Sequence, residues 1–154
     1  MTMLRRIENY LGDHNMSYVH TVHRNALTAR DVAHNEHLSE HKVAKTVVFH
    51  GDNGYGIAVL PASSLVDLQE LRVLLGLSHV RLATEAELAR LFPESELGAM
   101  PPFGNLFGLP VYLDSSLCNE DMIAFSAGTH RDAIHIRLKD FQRLEHPVVA
   151  PFAF

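Results

Sequence analysis

The chain has 154 residues, 47% of them hydrophobic and 20% charged, enough to bury one core, and it reads as a single domain over residues 1–154 with no repeat or low-complexity segment. Its formal charge of -5 excludes a protein that coats nucleic acid by broad phosphate contact, which needs a basic surface, yet leaves room for a small local contact. The single cysteine, Cys118, excludes an internal disulfide and a cysteine-rich zinc site, and is expected to be a small buried side chain.

At the N-terminus Leu4, Ile7, Tyr10 and Leu11 recur at helical spacing and predict an amphipathic helix ending near Gly12. This segment lacks the apolar stretch of a signal peptide, and no apolar run is long enough to span a bilayer. The expectation is a soluble cytoplasmic protein with no membrane partner. A short strand over 17–23 precedes Thr28-x-x-Asp31, a capping-box-like start to a helix that carries Val32 and Ala33 on one face.

The most informative stretch comes next. Val43-Ala-Lys-Thr-Val-Val-Phe49 has the β-branched and aromatic density of a buried strand, with Lys45 set inside it. Burying an unpartnered ammonium costs several kcal/mol or strips its proton. Lys45 therefore either reaches a pocket at the sheet's end or lays its stem along the sheet and snorkels to water. Only three lysines occur, Lys42, Lys45 and Lys139.

Asp52-Asn53-Gly54 signals a tight turn, and the apolar run 55–60 makes the return strand, ended by Pro61. Leu65, Leu68, Leu71, Leu74 and Leu75 mark a helix closed by Gly76. Residues 80–82 form a short strand, and Thr84-x-x-Glu87 caps a helix that carries Leu88 and Leu91. From Pro93 to Pro110 prolines and glycines forbid regular structure, while Met100, Phe103, Leu106 and Phe107 predict a packed loop that lines a site. Strands follow over 110–113 and 122–127. Ile134, Ile136 and Leu138 alternate with His135 and Arg137 in a last strand, and 140–144 closes the fold as a helix. Hairpins mixed with crossovers predict an α+β fold with a mixed sheet.

Three constellations carry chemistry. His34, His37 and His41, among eleven histidines, approach metal-ligand spacing, although charged and polar neighbours favour a solvated face. Ser126-Ala-Gly-Thr-His130 turns out of a strand, and Thr129 and His130 there offer hydrogen bonds to a ligand; the alternative is a strand-ending turn with a surface histidine. In Gly98-Ala-Met-Pro-Pro102 the prolines stiffen a loop whose glycine lets amide donors approach a carbonyl oxygen. No nucleophile elbow, phosphate loop or dinucleotide glycine pattern is present.

The order of the lysine strand, the Gly-x-x-x-Pro loop, and Ser-Ala-Gly-Thr-His followed by Ala133-Ile-His-Ile136 resembles the YbaK/prolyl-tRNA synthetase-associated editing domain over most of the chain. The resemblance implies a mixed, barrel-like β-sheet surrounded by helices. It also implies an aminoacyl-tRNA deacylase, a hydrolase acting in trans for translation fidelity with no metal or organic cofactor. Lys45 matches the essential lysine of that family. Gly98 and Pro102 match the glycine and proline of the loop that positions the aminoacyl carbonyl, with Ala99, Met100 and Pro101 between them as further substrate-binding candidates, and Gly128, Thr129 and His130 match the turn across the pocket. The expected partner is the aminoacyl-tRNA acceptor end, and the sequence leaves open whether the protein works free or docked on an aminoacyl-tRNA synthetase. The rival readings are a non-catalytic binding module of the same fold and a histidine-ligated metallohydrolase.

Overall fold

Thr2 accepts a hydrogen bond from the Arg5 amide and opens α1 (Met3–Asp13), whose buried residues Met3, Ile7 and Leu11 face the core. The computed structural model describes residues 1–154. β1 (Val19–Val22) follows, then α2 (Ala29–Asn35), opened by a reciprocal Thr28–Asp31 capping box. The lysine strand is β2 (Ala44–Gly51). Gly54, at φ +108°, turns it into β3 (Gly54–Pro61), antiparallel to β2 with Lys45 opposite Leu60.

Next come α3 (Leu68–Leu75), ended by a left-handed Gly76, then β4 (Val80–Leu82) and α4 (Glu85–Leu91) with its Thr84–Glu87 capping box. After the Pro/Gly loop the chain forms β5 (Val111–Asp114), β6 (Met122–Ser126), β7 (Asp132–Arg137), α5 (Leu138–Glu145) and β8 (Val148–Ala150). No helix is long and apolar enough to cross a membrane.

The strands make a five-stranded mixed sheet, β4-β2-β3-β5-β8, and a three-stranded antiparallel sheet, β1-β7-β6. The expected α+β fold with a mixed sheet is what forms. The expected barrel-like closure is corrected: one parallel bridge, Val43 to Ala124, joins the two sheets. The physical reason lies on the outer edge of β2, where β6 bridges the chain only at Val43, just before the strand begins, and β4 pairs only over Phe49, His50 and Gly51.

Other differences are local. α3 starts at Leu68 rather than Leu65, because Asp67 takes the cap and Leu65 exchanges backbone hydrogen bonds of 2.8 and 2.9 Å with Phe154. Cys118 is exposed, not buried, because Leu117 takes the inward position of its short turn. β8 was not expected. It is an edge strand parallel to β5, held beside Asp114, whose Oδ1 accepts from the amides of Phe152 and Ala153 at 3.0 and 2.9 Å.

The Pro/Gly loop is packed as its apolar residues predict. Phe103 is fully buried, its ring 5.1 Å from that of Phe125, 5.9 Å from Phe141 and 5.6 Å from Tyr10. This ring cluster anchors the loop to α1, β6 and α5 together. Phe103→Ala should lower the unfolding free energy by about 3–5 kcal/mol in a denaturant titration; a loss under about 1 kcal/mol would mean that the loop is not part of the core.

Candidate functional site

Between Val43 and the start of β4 the outer edge of β2 has no partner strand, and a cavity of about 290 Å³ opens there. It is lined by Thr28, Ala29, Ala44, Lys45, Thr46, Gly98, Met100 and Ser126. The start of α2 thus forms one wall, the end of β6 another, and the Pro/Gly loop a third. Lys45 lies half-buried in it. Burial pulls its pKa below the ordinary 10.5, the Arg30 guanidinium adds to the effect, and no carboxylate offsets it.

The loop is fixed by one residue that the motif reading passed over. Glu96 donates its amide to Gly128 O at 2.8 Å, accepts the Ala99 amide at 3.0 Å, and receives the His130 amide on Oε1 at 2.8 Å. Ala99 O takes the Gly128 amide at 2.9 Å, closing the lattice between loop and turn. Gly98 stands at φ +85°, where only glycine is comfortable, and a β-carbon there would lie 3.7 Å from His130 Cε1. The amides of Gly98 and Met100 have no acceptor within the chain, whereas that of Ala99 is spent.

The sequence-selected residues therefore separate into groups. Lys45, Gly98 and Met100 share the cavity, and His130 borders it beside Gly98 with Nδ1 at 3.1 Å from Ala26 O. Ala99, Pro101 and Pro102 are buried behind it. Gly128, at φ +93°, carries Met3 of α1 directly over it. The Thr129 hydroxyl donates to Asp132 at 2.6 Å and accepts from the amides of Arg131 and Asp132, so it shapes the turn. Thr46 and Ser126 were not selected as site residues. Their position beside Lys45 and at the strand end before the turn was the available signal.

His34, His37 and His41 are not gathered. α2 ends at Asn35, His37 lies past its end at φ +57°, and His41 bonds Ser63 from a separate turn. No group of three or more His, Cys, Asp or Glu side chains is arranged to hold a metal ion.

A family profile for the aminoacyl-tRNA editing domain matches residues 23–144. No curated protein matches the chain by sequence. Among solved structures, a candidate trans-editing enzyme for prolyl-tRNA synthetase is similar at TM-score 0.86 and 24% identity, over 100% of this chain and 98% of that one. A hypothetical protein is similar at TM-score 0.88 and 18% identity, over 97% and 99%. A candidate signal-transduction protein from Marinobacter aquaeolei is similar at TM-score 0.78 and 19% identity, over 99% of this chain but 31% of its own. At these identities the likeness is one of fold.

Two stability outcomes separate the cavity from its support. The lowered Lys45 pKa means that, between its folded and unfolded values, the unfolded chain holds the extra proton, so its burial destabilises fully at neutral pH and is relieved as pH rises toward 10.5. Lys45→Met should melt at or above the wild-type temperature at pH 7, with any gain shrinking in alkali; a clear loss would show that the lysine packs rather than carries charge. Gly128→Ala should cost about 2–4 kcal/mol, from left-handed strain and collision with Met3, and unchanged stability would remove the supporting role given to this turn.

Proposed function

The chain belongs to the family of aminoacyl-tRNA editing domains, and on that premise we propose that it hydrolyses the ester of mischarged aminoacyl-tRNA in trans. The observation that carries this reading is the placement of Lys45, Gly98 and Met100 around one cavity at the unpaired edge of β2. No serine or cysteine there is paired with a base, so the chemistry assigned to the site is attack by water on a positioned ester.

The free amides of Gly98 and Met100 hold the aminoacyl carbonyl oxygen. Lys45 supplies positive charge to the oxyanion that develops as the water oxygen adds to the carbonyl carbon. The bond to the ribose oxygen then breaks, and that oxygen takes a proton to leave the terminal adenosine with its hydroxyl restored. The substrate's neighbouring 2′-hydroxyl helps direct the water, with Ser126 also in the cavity wall. No step uses a metal or an organic cofactor. The acceptor end alone need enter, so the net charge of -5 is no obstacle, and a synthetase can present that end without contributing to the chemistry.

Met100 is also a wall of an adjoining apolar cleft of about 450 Å³ with Leu88, Phe92 and Leu97. Its adaptable side chain is placed to admit small aminoacyl groups and crowd larger ones.

Deacylation of mischarged tRNA by purified variants tests this reading. Lys45→Met should lower the rate at least about a hundredfold, and activity near wild type would sink the assignment. Gly98→Ala should reduce the maximal rate more than tRNA binding. Met100→Ala should shift the preference between two esters differing by one or two carbons by roughly 1–3 kcal/mol per methylene at most. An unchanged ratio would make Met100 scaffolding. Activity lost on chelation and restored by zinc alone would contradict the water-only mechanism.

A further inference from the structure

Beside the Lys45 cavity lies a larger polar cleft of about 800 Å³, lined among others by His23, Arg24, His34, Glu36, His37 and Arg131. Arg6, Arg30, Arg81 and Arg143 elsewhere in the molecule are paired with carboxylates. Arg24 and Arg131 are exposed, and neither guanidinium is engaged by any group of the chain; only their backbone atoms bond. In a chain with a net charge of -5, two unpaired guanidiniums facing one cleft form a local cationic site.

The acid in the cleft does not neutralise them. The side chain of Glu36 is 7% exposed, its Oε1 accepts the Thr21 hydroxyl at 2.7 Å and lies 3.0 Å from His135 Nε2, and its Oε2 lies 3.9 Å from His23 Nε2. Its charge is turned inward, toward two imidazoles. Asp132 is likewise engaged by Thr129 and by His20 at 2.6 Å. The imidazoles of His34 and His37 stand exposed at the rim.

The cleft and the cavity share a wall. His130, beside Gly98, and Arg131, in the cleft, are consecutive, and their carbonyls accept from the amides of Ala26 and His23 at 2.8 Å each. α2 offers Thr28 and Ala29 to the cavity and His34 and Asn35 to the cleft, roughly 8 Å further along its axis. A strand whose aminoacyl end fills the cavity therefore has its preceding backbone within reach of the cleft.

We propose that this cleft binds the phosphodiester backbone of the nucleotides preceding the terminal adenosine, with Arg24 and Arg131 as the phosphate donors and the rim imidazoles as stacking surfaces. This rests on the editing reading, which supplies the RNA strand. The two arginines act on binding and register, not on the reacting ester.

The test uses the full chain and an uncharged acceptor-stem RNA hairpin ending in unpaired CCA, with binding followed by fluorescence anisotropy across a salt series. Arg24→Gln combined with Arg131→Gln should weaken binding about tenfold at low salt and flatten the slope of log affinity against log salt by about 1 to 1.5, as expected for two single-strand phosphate contacts. Each single change should give an intermediate loss. Arg137→Gln combined with Lys139→Gln removes the same charge from a different cleft and should bind close to wild type. Hydrolysis of a 3′-aminoacyl-adenosine, which has no upstream phosphate, should not distinguish the Arg24/Arg131 variant from wild type. Equal affinity and slope for that variant, or the same loss in the control pair, overturns the proposal. So does binding of inorganic phosphate to this cleft as tightly as the hairpin, which would mark a site for free phosphate. A wild-type protein that binds the hairpin through these arginines but hydrolyses neither the 3′-aminoacyl-adenosine nor a mischarged tRNA would instead retire the editing reading and leave the cleft standing.

Discussion

The unpaired edge of β2 is the constraint on which the site depends. A strand edge exposes amide and carbonyl groups that a sheet would normally satisfy, and here the neighbours β6 and β4 meet it only at its two ends. The interval between them cannot be filled by a strand, because the end of β6, the start of α2 and the Pro/Gly loop already converge on it. What remains is a cavity with Lys45 and Gly98 both in its walls.

Rigidity around the gap comes from Glu96. Its backbone and carboxylate tie the loop to the turn between β6 and β7, and Met3 of α1 clamps that turn from behind. Two segments far apart in sequence are thereby held as one wall. A mechanism without a protein nucleophile depends on such fixed donors, since electrostatic stabilisation is effective only where the groups need not reorganise. Partial burial of Lys45 works in the same direction by strengthening its interaction with charge that develops beside it, at the expense of a lowered pKa.

Much of this was legible in the chain itself. The capping residues Thr28, Thr84 and Asp31, the tight turn at Gly54 and the alternation in β7 report local preferences, and local preferences are what sequence periodicity records. Lys45 stood out because an ammonium within an apolar strand conflicts with its surroundings. Sheet closure, β8 and the clamping role of Glu96 were not legible, since each depends on which distant segments meet. β8 is only three residues long, and Glu96 resembles any surface acid until its three partners are located. Gly128 and Thr129 showed the reverse limit. A turn motif singled them out, but their side of the turn supports the wall and is absent from the cavity lining.

The most direct test of the central claim is release of free amino acid from a panel of mischarged tRNAs incubated with the wild-type protein, measured against spontaneous hydrolysis of each ester. The account predicts multiple turnover on at least one small aminoacyl ester, in metal-free buffer and without a synthetase present. Binding of charged tRNA with no release above the spontaneous rate, across the whole panel, would contradict it and leave the fold as a recognition module.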